Sequence, residues 1–214
     1  MKAAYTHFVC VLLLGLALRL PAQPEASPRL LVKTSISSLL DILLPSAHIA
    51  VEYQWGPQWS AQVEGGPILG IGHSASSNGY RFRAALRKYP SARKNGRFFE
   101  IMYLQRILWA EVENDFEASP GALQRAPIRY DTHNRKYGLV FTLGQRYLKN
   151  RFIAEYGFGL GIALRLQQNN GLPESAVYAG RGIVRTITEP WPQPEHWQPE
   201  FSFYANFGYV AARR

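Results

Sequence analysis

Apolar and polar positions alternate along most of this chain with a period of two, the spacing of a strand whose successive side chains face opposite ways. The pattern is sharpest from Arg151 to Leu166. One register there reads Phe152, Ala154, Tyr156, Phe158, Leu160, Ile162 and Leu164, and the other reads Ile153, Glu155, Gly157, Gly159, Gly161, Ala163 and Arg165. A strand with one wet face normally fills that face with Lys, Thr, Ser or Glu. Glycine weakens a strand unless something approaches its backbone closely. A narrow barrel accounts for both registers, with lipid against the large apolar face and a crowded lumen against the glycines.

Seven other segments carry the same period: Leu30–Ser38, His48–Trp55, a third from Trp59 to Ile71, Tyr80–Tyr89, Arg97–Glu111, Arg135–Tyr147 and Glu200–Val210. Pro67, after Gly65-Gly66, predicts a bulge or kink in the third, because proline cannot donate to a sheet ladder. In the fifth both registers are apolar, so its outward face is left open. Residues 113–134 and 167–199 show no period and read as long connections. The connections alternate between longer and shorter, as they do between extracellular loops and periplasmic turns. Trp55 with Trp59, and Tyr147 with Phe152, flank two short turns where an interfacial aromatic belt would lie. The expected fold is all-β: an eight-stranded antiparallel up-and-down transmembrane β-barrel over residues 30–214. A soluble lipocalin-like barrel or sandwich is the competing fold. It would expose the glycine register to water and pack a very aromatic face inside.

The N-terminus sharpens the choice. Lys2, an apolar run from Phe8 to Leu18, and Leu20-Pro21-Ala22 predict a signal peptide over residues 1–22, followed by a short lead-in over 23–29. The run is too short for a transmembrane helix. Cys10, the only cysteine, leaves with the signal, which excludes disulfides and thiol chemistry from the mature chain. The formal charge of +9 falls to +7 once Lys2 and Arg19 are removed. In an exported protein this excess points to anionic lipid or lipopolysaccharide phosphates, and not to nucleic acid.

The strands resemble a family of small Bacteroidetes outer-membrane β-barrels of unknown function. The matching segments are Ile49-Ala50-Val51-Glu52-Tyr53, Leu86-Arg87-Lys88-Tyr89, Tyr137-Gly138-Leu139, Glu155-Tyr156-Gly157-Phe158-Gly159 and Phe207-Gly208-Tyr209. The resemblance covers nearly all of the mature chain and implies an outer-membrane location, an eight-stranded barrel akin to the OmpA and OmpW types, and no enzymatic activity. The chain departs from such barrels by continuing past its last aromatic as Val210-Ala211-Ala212-Arg213-Arg214.

The inward register collects Lys33, Glu52, Glu64, Arg81, Arg83, Arg87, Arg146, Glu155 and Arg165. Charges withdrawn from water need partners, so these are expected to form a bridged network filling the lumen. The expected role is structural or surface-interacting, through outer loops that meet extracellular ligands. Cations outnumber acids in the set, so the alternative is a narrow anion-preferring pore or a conduit for small or apolar molecules. Trp191 and Trp197, in the proline-rich stretch 189–199, are candidate binding anchors. A lipid-modifying enzyme is the weakest reading. It rests on His73-Ser74-Ala75-Ser76, which reads as a small polar loop, so no catalytic residue is assigned. The histidines lack metal-ligand spacing, and no cofactor is expected.

Overall fold

The computed structural model describes residues 29–39, 45–69, 77–90, 96–117, 125–171, 177–178 and 195–213. The expected signal peptide and most of the lead-in, the His73–Ser76 segment and Trp191 lie outside the described residues. The described chain is β1 (Arg29–Ser35), one helical turn α1 (Ile36–Leu39), β2 (Ile49–Gln54), β3 (Trp59–Ile68), β4 (Ser77–Lys88), β5 (Gly96–Glu117), β6 (Arg125–Lys149), β7 (Phe152–Asn170), the two-residue β8 (Val177–Tyr178) and β9 (Glu195–Arg213).

Eight of these strands form one closed antiparallel ring. Each of β1 to β6 pairs with the next, β7 pairs with β9, and β9 pairs back onto β1. Closure leaves the ring no free edge. Starting at Val32 and following paired residues through Val51, Val63, Ala84, Tyr103, Leu139 and Ile162 ends at Pro199. Val32 itself faces Tyr209, so one circuit climbs ten residues, from 199 to 209. Ten residues at ~3.3 Å set against eight strand spacings at ~4.8 Å tilt the strands by about 40°. A ring of this size has an interior that side chains can fill.

The two faces differ in chemistry. Outside stand Ile49, Phe141, Leu143, Phe152, Phe158, Ile162, Phe201 and Phe203, all among the most exposed large apolar residues. Inside lie Lys33, Glu52, Arg87, Glu100, Arg146 and Glu155, all buried. Phe99, Ile101 and Trp109 are exposed and Phe98, Glu100, Met102 and Leu108 buried, which decides the outward face of the fifth strand.

The interior is stratified. At the end carrying the short turns, Leu31, Leu148, Ile153 and Val210 close the ring with an apolar cluster. Charged residues lie above it, then Met102, Leu104 and Val140. The glycine register backs this middle layer. A Cβ on Gly157 would stand 2.7 Å from the Tyr204 ring, and one on Gly144 would run into the Phe98 ring. A Cβ on Gly161 would collide with the backbone of Leu139 and Val140. Two of these glycines thus make room for inward aromatic rings, and a third for a neighbouring strand.

The structure corrects several expected boundaries. The chain leaves the sheet after Ser35 and forms α1, so the first strand is shorter than expected; the second, β2, has only 6 residues. Residues 113–117 and 125–134 are strand, not irregular connection. They form the upper part of a β5–β6 hairpin that rises past the top of β4, with β8 paired to its edge at Phe116 and Glu117. Thr132 and Asn134 share the inward register of the buried Tyr130, which blurs the period. Gln167–Asn170 and Glu195–Pro199 are likewise strand.

No bulge occurs at Gly65-Gly66-Pro67, where β3 keeps a continuous register with β4. The Pro67 carbonyl accepts from the Ala47 N–H at 3.1 Å, so the missing N–H faces the same way, beyond the start of β2. The β3–β4 ladder therefore loses no bond. The register shift falls instead between Leu30 and Leu31. Trp55 is buried, not part of an exposed belt; the strand ends at Gln54, and the side chain no longer follows the outward register.

Candidate functional site

The interior charges gather into a knot just above the apolar cluster at the short-turn end. Six strands supply one charge each: Lys33 from β1, Glu52 from β2, Arg87 from β4, Glu100 from β5, Arg146 from β6 and Glu155 from β7. Three cations face three carboxylates. Lys33 bonds Glu52, and also reaches Glu155 at 2.8 Å and Gln62 at 2.7 Å. Arg87 pairs with Glu100 and extends Nη1 to Glu52 at 3.0 Å and Glu155 at 2.9 Å. Arg146 places Nη2 2.6 Å from both oxygens of Glu52 and Nε 2.5 Å from Glu155.

Aromatic rings complete the enclosure. The Tyr89 hydroxyl donates to Glu52 at 2.9 Å, and Arg87 Nη2 donates to the Tyr204 hydroxyl at 3.2 Å. The Arg87 guanidinium lies 4.8 Å from the centre of Phe98, and that of Arg146 4.4 Å from the centre of Tyr89. Burying so many charges is tolerable only because each has an opposite partner, Glu100 one and the other five two or three. A purely apolar filling of this volume would be about as stable. The knot is therefore better understood as a plug than as a source of stability.

A satellite group lies beside the knot. Glu64 accepts from Arg83 at 3.2 Å and from Gln62 at 3.3 Å, and sits 2.7 Å from His48 Nδ1. The Ser38 hydroxyl is 3.1 Å from that same His48 nitrogen. Serine, histidine and carboxylate are thus together, but Ser38 and Glu64 share Nδ1. A proton relay needs the nucleophile on one ring nitrogen and the carboxylate on the other. All three are buried.

The residues marked in the sequence divide into three groups. Lys33, Glu52, Arg87, Arg146 and Glu155 meet in the knot, and Glu64 with Arg83 forms the satellite. Arg81 and Arg165 belong to neither. They face inward higher up, where Arg165 is buried and Arg81 lines a partly open cavity of about 570 Å³. That cavity is walled from opposite sides by Arg81, Arg83 and Arg106 on β4 and β5, Lys136 on β6, and Glu200 and Ser202 on β9. Trp197 stands exposed on β9, paired with Leu164, and is not in a loop.

Sequence reasoning missed Glu100, His48, Gln62, Tyr89 and Tyr204. Glu100 lies in a register with Phe98, Met102, Leu104 and Leu108, which looked apolar enough to face outward. The usable signal was cross-strand: Glu100 is opposite Arg87 on one side and Thr142 on the other. Among the described residues no group of His, Cys, Asp and Glu is arranged to hold a metal ion.

Comparison of the chain with protein-family models, with curated proteins and with solved structures finds no match.

Proposed function

We propose that this protein is an outer-membrane β-barrel of the small eight-stranded kind, with a structural or surface-interacting role and a lumen plugged by its own ion pairs. The observation that carries the reading is the inversion of the ring. Its outer face is a continuous apolar surface far larger than the few hundred Å² that soluble monomers commonly expose, and its charges are inside. Water outside and charges inside would be the costly arrangement; lipid outside makes it the favourable one.

Two rings of aromatics support the reading. Tyr147, Phe152, Tyr156 and Tyr209 are exposed near the short-turn end, and Tyr80, Trp109 and Trp197 near the other. On β5 the ten residue steps from Phe99 to Trp109, at ~3.3 Å each and tilted by about 40°, span about 25 Å, the height of an outer-membrane apolar band. The short β1 and β2 are compensated on the outside by Ile36 and Leu69, both exposed. No helix among the described residues is long and apolar enough to cross a membrane, so any crossing falls to the strands.

The plug argues against the pore alternative, since the knot and the apolar cluster beneath it occupy the route a solute would take. The shared nitrogen of Ser38 and Glu64 argues against a hydrolase. Unheated and boiled samples run on a detergent gel test the barrel: a faster-migrating unheated form, found in the outer-membrane fraction, is expected. A water-soluble protein whose migration ignores heating would overturn the proposal. Planar bilayers test the plug, with no unitary currents expected from the purified protein.

A further inference from the structure

The ladder registers above the plug line up a row of like charges. Arg81 on β4 is opposite Arg106 on β5, Arg106 is opposite Lys136 on β6, Lys136 is opposite Arg165 on β7, and Arg165 is opposite His196 on β9. The first four share the inward parity of the knot residue on their own strand, and His196 shares that of the buried Tyr204 on β9. Five neighbouring strands out of eight thus carry a cation or a histidine at one level. The plug below obeys the opposite rule, setting Arg87 against Glu100 and Arg146 against Glu155 across the same ladders. Like charges directly opposite one another in a sheet are destabilising, and more so away from bulk water.

Three members of this row, Arg81, Arg106 and Lys136, line the cavity of about 570 Å³ together with Arg83. Among the described residues that line it there is one carboxylate, Glu200, which is engaged by Lys136. Its volume lies in the range of small-molecule sites. The plug lies below it. We infer that this cavity is a binding site for a small soluble anion bearing two or more negative charges, a polycarboxylate or a phosphate ester, held by Arg81, Arg106 and Lys136. Arginine suits such groups because its planar fork donates two parallel bonds to a carboxylate or phosphate. The site is a dead end and not a conduction path. It needs only the closed ring, so it stands or falls separately from membrane insertion.

Isothermal titration of the purified protein in neutral detergent micelles tests the assignment, with pyrophosphate and citrate as probes and sodium chloride as the ionic-strength control. Saturable binding of at least one probe is expected, weakened at least tenfold in Arg81→Gln/Arg106→Gln. It should be unchanged in Lys88→Gln/Lys149→Gln, which removes two exposed cations elsewhere. Absence of saturable binding to the native protein overturns the inference, as does equal weakening in both double variants. A second readout covers failure of the belt variant to fold. Arg106→Glu places a carboxylate opposite Arg81 and Lys136, so it should abolish the rise in Tm that pyrophosphate gives the native protein. An unchanged pyrophosphate response in Arg106→Glu would overturn the inference. Micelles doped with phosphatidylglycerol separate a lipid headgroup from a soluble anion. Loss of pyrophosphate binding on doping would assign the cations to lipid and overturn the soluble-anion assignment.

Discussion

At the scale of single residues, the knot makes unequal demands on its members. Glu52 serves Lys33, Arg87, Arg146 and Tyr89 at once, so its removal leaves three buried cations sharing Glu155 and Glu100. Glu52→Ala is expected to cost about 3–5 kcal/mol, the range for breaking a buried pair from one side, measured by urea unfolding in micelles. The glycines give a second residue-scale contrast. A Cβ on Gly161 meets backbone, which cannot step aside, whereas one on Gly56 meets nothing within 4 Å. Gly161→Ala should therefore cost upwards of about 2 kcal/mol, within the range for overpacking, while Gly56→Ala leaves the unfolding midpoint where it was. The interior partnerships were only partly legible in the sequence. Alternation marked Lys33, Glu52 and Glu155 as inward-facing. It carried no sign that Lys33 would meet a carboxylate 122 positions away, because partnership depends on how the ring closes and not on any local pattern.

At the scale of elements, the period of two reports which face of a strand meets which medium, so it is strong only where the two media differ. That holds for the middle of β7, where Phe158 and Leu160 are outward and Gly157 and Gly159 inward, and the strand was plain to read. It fails above the apolar level. There the outward face turns polar: in the paired hairpin Arg129 and Asp131 are exposed, while Phe116 and Tyr130 are buried inward with Ala110 and Val112, so the alternation runs opposite to that of β7. The proline-rich start of β9 was misread for a related reason. Pro199 signals a loop locally, yet it holds a place opposite Ile162. The β6–β7 turn is a clearer case. Lys149 pairs with Phe152, leaving Asn150 and Arg151 to reverse the chain, and Asn150 does so at φ 56°. A β-branched side chain pays about 1–2 kcal/mol in that left-handed region, whereas glycine adopts it freely. Asn150→Gly should unfold at the same urea concentration as the native protein, and Asn150→Val should unfold earlier by that margin.

At the scale of the whole molecule, the plug and the cation row above it respond differently to salt. Buried pairs are shielded little by added ions, since the Debye length matters only where ions can enter. The unfolding free energy should therefore change by less than about 1 kcal/mol between 0.1 and 1 M sodium chloride, a margin typical of exposed ion pairs. An anion held in the open cavity should be displaced over the same range.

The distribution of the knot over six strands also bears on how the ring is made. Lys33 arrives with the first strand, but one of its carboxylates is on β7, and Arg87 depends on β2, β5 and β7 together. A sheet that has acquired only β1 to β4 holds two cations of the knot against the single carboxylate Glu52. The sum then returns to zero with Glu100 on β5, rises to one excess cation with Arg146 on β6 and returns to zero with β7, which brings Glu155, the carboxylate that Lys33, Arg87 and Arg146 all bond. A sheet without β7 therefore leaves all three cations short of a carboxylate that they hold in the closed ring. The six charges act as a coincidence detector for assembly: their ion pairs are complete only at the step that also leaves the chain ready for β9 to join its two ends.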